Sequence, residues 1–131
     1  MKQSLKILVV DDEENVLSSV KKVISSKHPE LRVDLCDSPM DALGLIKGGE
    51  YHMVITDLMM PGIDGLELIK KIRTIDSRLK IIMMTGYATM KTALLAMREG
   101  AHKYISKPFT RDELLSALHS ALSGEGEGAG D

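Results

Sequence analysis

The sequence predicts an α/β protein, a doubly wound (βα)5 unit with a five-stranded parallel sheet covered by helices on both faces. Two patterns predict it. Short apolar runs, too short for helices, alternate five times with longer stretches whose apolar residues recur at helical spacing. Proline, glycine and capping residues punctuate each change from one to the other. Strands that alternate with helices pair in parallel through right-handed crossovers, which places helices on both sides.

Leu5–Val10 is apolar except for Lys6 and reads as a buried strand. Glu14–Lys27 carries Val16, Leu17, Val20, Val23 and Ile24 at helical spacing, and Pro29 stops it. Leu31–Cys36 alternates Leu31, Val33 and Leu35 with Arg32 and Asp34, a second strand with one wetter face. Ser38 as N-cap and Pro39 at the first helical position open a helix to about Lys47, before Gly48-Gly49. His52–Thr56 is the third strand and leads into Asp57 and a proline–glycine loop. Leu66–Ile72 reads as the next helix and Lys80–Met84 as the fourth strand. A helix from Thr89 or Met90 to Glu99 is ended by Gly100, and Lys103–Ser106 is a short fifth strand. Thr110, with Glu113 three residues later, forms a capping-box pattern that opens the last helix, through Leu122. The domain therefore spans 1–122, and 123–131 (SGEGEGAGD) reads as a flexible acidic tail or linker stub.

A chain of 131 residues suffices for one domain with its own core. The net charge of −2 gives no general pull towards nucleic acid or an anionic membrane, so neither contact is expected of this domain. No apolar run reaches the length of a membrane span and no signal peptide is visible, which points to the cytoplasm. The single cysteine, Cys36, rules out an internal disulfide and reads as core.

Sites in sheets of this kind sit at the carboxyl ends of the strands. The first strand ends in Asp11-Asp12, the third in Asp57, the fourth in Thr85-Gly86 and the fifth in Lys107-Pro108. Each has a plain reading alone: a helix cap for Asp11 or Asp12, a loop residue for Asp57, a turn hydroxyl for Thr85, a solvated charge for Lys107. Together, at four strand ends, they read as one site. Clustered carboxylates repel unless they are protonated or a cation neutralises them, and an all-oxygen donor set calls for a hard cation, Mg²⁺ before Mn²⁺. A carboxylate can attack phosphorus, while a cation, an amine and a hydroxyl meet the charge on the transferred group.

The segments Ile7–Glu13 (ILVVDDE), Val54–Gly65 (VITDLMMPGIDG), Met84–Ala88 (MTGYA) and Tyr104–Phe109 (YISKPF) resemble the receiver domains of two-component response regulators, over roughly residues 5–122. Within that family the chain most resembles receivers of nitrogen-regulation-type transcriptional activators. The resemblance implies a flavodoxin-like strand order, 2-1-3-4-5. It implies that Asp57 is phosphorylated by a histidine kinase or phosphotransfer protein. Asp11, Asp12, Asp57 and the Met59 backbone carbonyl would hold Mg²⁺. Lys107 and Thr85 would contact the phosphoryl group, and Tyr104 would swing inward with Thr85, although a static half-buried aromatic is the plain alternative. A cis Lys107–Pro108 bond is also implied.

Output would come from a face made by the fourth helix, fifth strand and fifth helix, acting on an output domain or partner protein, with a homodimer possible on phosphorylation. Lys91, Arg98, Glu99, Lys103, Arg111 and Asp112 could pair across subunits there. Most of Met90, Leu94, Leu95 and Met97 are expected in the core. Met59 and Tyr87, two residues after Asp57 and Thr85, offer no carboxylate or amide to orient a water, so slow self-dephosphorylation is expected. An enzyme reading, a phosphohydrolase of the haloacid dehalogenase type, needs an acid two residues after Asp57, where Met59 stands. A flavodoxin-like cofactor carrier needs a hydroxyl- and glycine-rich loop after the first strand, where four acids stand. The chain therefore reads as a signalling phosphoacceptor and not an enzyme. His28, His52, His102 and His119 show no metal-ligand spacing and read as surface or packing residues.

Overall fold

The computed structural model describes residues 5–86 and 89–123. Its main sheet comprises β1 (Lys6–Val10), β2 (Arg32–Cys36), β3 (Met53–Asp57), β6 (Lys80–Thr85) and β7 (Lys103–Ser106). Two two-residue strands, β4 (Met59–Met60) and β5 (Ile63–Asp64), form a small antiparallel ladder between β3 and β6. The helices are α1 (Glu14–Lys27), α2 (Pro39–Lys47), α3 (Gly65–Ile75), α4 (Met90–Glu99) and α5 (Arg111–Ser123). The five-stranded sheet runs β2-β1-β3-β6-β7, all neighbours parallel. Counted among its own strands, this is the expected order 2-1-3-4-5.

The period of two along each strand sorts the core into two layers. Leu8, Val10, Val54, Ile81 and Met83 face α2 and α3, meeting Leu43, Ile46, Leu68, Ile69 and Ile72. Ile7, Val9, Ile55, Ile82 and Met84 face α1 and α5, meeting Leu17, Val20, Ile24, Leu114 and Leu118. The helix signals work as read: Ser38 Oγ accepts from Asp41 N–H at 3.3 Å, and Thr110 and Glu113 cap each other reciprocally at 2.8 and 3.1 Å. α1 ends at Lys27, before Pro29. Gly100 ends α4 in the left-handed region, φ +119°.

The structure differs from the sequence reading in the β4–β5 ladder, which stands where a loop was expected, in one-residue shifts at several element ends, and in four further features. β3 and β6 each run one residue further, taking Asp57 and Thr85 into the sheet. α3 is longer at both ends, because Asp64 Oδ1 accepts from Leu66 N–H at 2.8 Å and caps it ahead of the first apolar residue. Leu35 is exposed although Val33 is buried: Val33 packs into the layer under α1 and α5, and Leu35 does not. Of the α4 residues expected in the core, Met90, Leu94 and Met97 are exposed at 76%, 62% and 42%, and Leu95 is half-buried. The correction has a simple cause: α4 faces the core through Ala96, its one fully buried residue.

Two histidines stand just before strands β3 and β7. His52 Nδ1 accepts from Lys6 N–H at 3.0 Å, and His102 Nδ1 accepts from Ile81 N–H at 3.3 Å. Among the described residues, no helix is long and apolar enough to cross a membrane. Residues 124–131, most of the segment read as a tail, lie outside the described residues, as does Tyr87.

Candidate functional site

The strand register creates the site. Val10 lies opposite both Thr56 and Cys36, so Asp11 and Asp57 emerge side by side where their strands end. Asp57 pairs in register with Met84, and Thr85 pairs with Ser106, which brings Thr85 and Lys107 to the same edge. Lys107 N–H donates to the Thr85 carbonyl at 2.7 Å, fixing the lysine backbone there, and the Lys107–Pro108 peptide is cis, as the resemblance implies.

Asp11 is fully buried, Asp57 is 4% exposed, and Asp12 is exposed. One oxygen from each carboxylate can lie within 4.8 Å of the others. Lys107 Nζ stands between the two buried acids, 2.7 Å from Asp11 Oδ2 and 3.0 Å from Asp57 Oδ2. Glu13 Oε1 is a more distant third partner at 3.5 Å. The second oxygens are also engaged: Glu13 N–H donates to Asp11 Oδ1 at 2.8 Å, and Met59 N–H donates to Asp57 Oδ1 at 3.0 Å.

Burial pushes the Asp11 carboxyl up, and it stays above its usual range although hydrogen bonds from Lys107 and the Glu13 amide oppose this. Burial pulls the Lys107 ammonium down, but its hydrogen bonds to Asp11 and Asp57, and their charges, outweigh it and hold it above its usual value. Lys107 is therefore a charged, partly desolvated ammonium aimed at two carboxylates.

The plain readings of these residues fail one by one. α1 has Glu13 at its N-cap position with no side-chain cap bond, so neither Asp11 nor Asp12 caps that helix. The Lys107 side chain is 16% exposed rather than solvated, and Thr85 is fully buried. Met59, two residues after Asp57, is 55% exposed. Tyr104 sits apart from the acids: it is half-buried, and its hydroxyl is 3.0 Å from Thr92 Oγ1. Thr92 in turn forms a capping box with Thr89, so the tyrosine is tied to the start of α4.

One positioning residue escaped the sequence reading. Gly65 N–H donates to the Leu58 carbonyl at 3.1 Å, and a Cβ at position 65 would overlap that carbonyl and stand 2.6 Å from Leu58 Cα. Only glycine lets α3 close so tightly on the residue after Asp57. The Asp-Gly pair at 64–65 was the available signal.

The chain matches the response regulator receiver domain family over residues 7–119. It belongs to that family. It is a receiver domain of two-component response regulators, and its relatives bear this out. The transcriptional regulatory protein FixJ of Bradyrhizobium diazoefficiens is 33% identical over 116 residues, 88% of this chain and 56% of FixJ. A CheY-like receiver domain protein from Methanospirillum hungatei superposes with a TM-score of 0.86 at 28% identity, covering 95% of this chain and 98% of that one. A response regulator from Burkholderia pseudomallei, described with a phosphorylated aspartic acid, a calcium ion and citrate, gives 0.79 at 27% identity, covering 96% of this receiver and 74% of that chain. The receiver spans between 25% and 56% of the length of the curated relatives it matches.

Proposed function

We propose that this receiver takes a phosphoryl group on Asp57 from a histidine kinase or phosphotransfer protein and signals by a change of shape. The observation that carries the reading is the Lys107 ammonium, held 2.7 Å from Asp11 and 3.0 Å from Asp57 at the carboxyl end of the sheet. An Asp57 oxygen would form the new P–O bond as the P–N bond to the donor imidazole breaks, the imidazole leaving with a proton. Lys107 would meet the negative charge on the transferred group, and the Thr85 hydroxyl would bond it at the neighbouring strand end.

Asp11, Asp12 and Asp57 suit a hard divalent cation, since their donor set is entirely oxygen and their oxygens converge. These three and the Met59 carbonyl would hold Mg²⁺, with Mn²⁺ as a substitute. Bound there, the ion would neutralise the acids and bind phosphoryl oxygens. The reaction ends on the protein itself, so the domain is a phosphoacceptor and not a turnover enzyme. Met59 offers nothing to orient an attacking water, and we expect the acyl phosphate to persist. Met59→Asn should shorten its lifetime roughly tenfold, and an unchanged decay of the phosphorylated form, followed by mass spectrometry, counts against that role.

The output face would be α4, β7 and α5, acting in the cytoplasm on a transcriptional output domain or partner, or pairing with a second copy. The exposed Met90, Leu94 and Met97 give α4 an adaptable apolar surface for that contact. Incubation with acetyl phosphate and Mg²⁺ tests the central reading. One phosphoryl mass increment should appear and be absent from Asp57→Ala; no adduct, or one that survives the substitution, overturns it.

A further inference from the structure

At the end of the sheet away from the acid cluster, α1 and α5 both finish. There, two histidines that are 91 residues apart in sequence meet. His28 Nε2 lies 2.7 Å from His119 Nε2, with the rings edge to face and their centroids 4.9 Å apart. The other nitrogen of His28, Nδ1, is 3.2 Å from Glu30 Oε2.

A carboxylate at Nδ1 draws the ring proton to that nitrogen. That leaves Nε2 with its lone pair, and the lone pair faces the His119 ring. This is the arrangement that orients histidine ligands in metal sites, where the nitrogen not bound to metal donates to a carboxylate.

The backbone holds His28 in place. Its N–H donates to Ile24 O at 2.7 Å, and its carbonyl accepts from Leu31 N–H at 3.0 Å. His119 rides on α5, whose Leu115 and Leu118 anchor it in the core. His28 is half-buried and His119 exposed, so an ion could enter from solvent. The other two histidines spend Nδ1 on strand-starting amides and lie elsewhere in the fold.

We infer that His28 and His119 form a site for a borderline divalent transition-metal ion such as Zn²⁺, clamping the end of α1 to α5, with Glu30 as the positioning residue. Imidazole nitrogens suit such ions, whereas the hard Mg²⁺ belongs with the acids at the other end. Zn–N bonds of about 2.0–2.1 Å at tetrahedral angles set the two nitrogens roughly 3.3 Å apart. With His28 Nε2 accepting, the 2.7 Å contact is a hydrogen bond from His119 Nε2–H, so binding moves that proton to His119 Nδ1, turns both rings until their lone pairs meet on the ion, and opens the contact by a fraction of an ångström. Two protein ligands leave the remaining positions to water. The sites are independent, and this one stands whether or not Asp57 is phosphorylated.

The test is a zinc titration of untagged protein in excess Mg²⁺, read by competition with a chromophoric zinc indicator and by the melting temperature. Wild type should take up one zinc ion and melt higher with it. His28→Gln and His119→Gln should each weaken binding by at least about tenfold and lose the melting shift. Glu30→Gln should weaken binding less than either, and His52→Gln should leave it unchanged. Melting curves without zinc show that each variant folds, and His119→Gln at an exposed position is the safer of the pair. No zinc uptake by wild type, wild-type affinity retained in either histidine variant, or a loss that follows His52→Gln would overturn the site.

Discussion

α3 and α4 occupy equivalent places, each following a sheet strand that ends in a site residue, yet they are built to opposite ends. α3 buries Gly65, Leu68, Ile69 and Ile72, is capped by Asp64, and closes on Leu58 next to Asp57. α4 buries only Ala96 and leaves Met90, Leu94 and Met97 in solvent. Its ties are polar: the Thr89–Thr92 capping box, the Thr92–Tyr104 hydroxyl contact, and Arg73 of α3, which donates to the Gly100 carbonyl at 2.6 Å. An element with few buried apolar contacts opens at low free-energy cost. Asp57, the proposed phosphoacceptor, is thus backed by a well-packed helix, whereas the helix beyond Thr85 is lightly packed.

The largest expected effect comes from removing the cation both sides share. Lys107→Ala strands two buried carboxylates and should cost about 4 kcal/mol in metal-free buffer, measured by urea denaturation, with part of the loss returned by Mg²⁺. Its acetyl-phosphate labelling rate should fall on the order of 100-fold. A stable variant that labels normally would show that the ammonium is a bystander.

The contrast between the helices is broken most directly by matched truncations. Leu68→Ala in α3 should cost about 3 kcal/mol, while Leu94→Ala in α4 should stay within about 0.5 kcal/mol. Similar costs at the two positions would mean that α4 is as firmly packed as α3.

Gly65→Ala should cost roughly 2 kcal/mol, because backbone on the rigid side has to move to admit the new Cβ. An unchanged urea midpoint would show that the loop after Asp57 yields easily.

The smallest effect is a control away from both helices. Tyr51 donates to Asp34 Oδ2 at 2.6 Å. This hydrogen bond holds the Asp34 carboxyl below its usual range, while burial and then Asp34 push the Tyr51 hydroxyl up to about 12. The carboxylate's contribution is present above the unfolded value of 3.8 and lost as pH falls through its folded value. The tyrosine's is present below its ordinary value of 10.0 and lost as pH rises through about 12. Tyr51→Phe should therefore cost about 1 kcal/mol at pH 7, with the gap to wild type narrowing in acid. A gap that stays constant down to pH 3 would contradict that linkage.

Local chemistry was legible in the sequence. Apolar periods marked every helix and every strand of the five-stranded sheet, though not the β4–β5 ladder; Ser38-Pro39 and Thr110/Glu113 marked helix starts, and Gly100 marked an end, because each signal acts within a few residues. The strand-end positions of Asp11, Asp57, Thr85 and Lys107 followed from the same periods. The tertiary structure decided what depends on distant partners. Lys107 finds Asp11 across 96 residues and His28 finds His119 across 91, and no spacing rule encodes either meeting. The exposure of Leu35 and of the α4 methionines was equally hidden, since an apolar residue is buried only if another element covers it. The close approach of Gly65 to Leu58 exists only once α3 has docked against the end of β3.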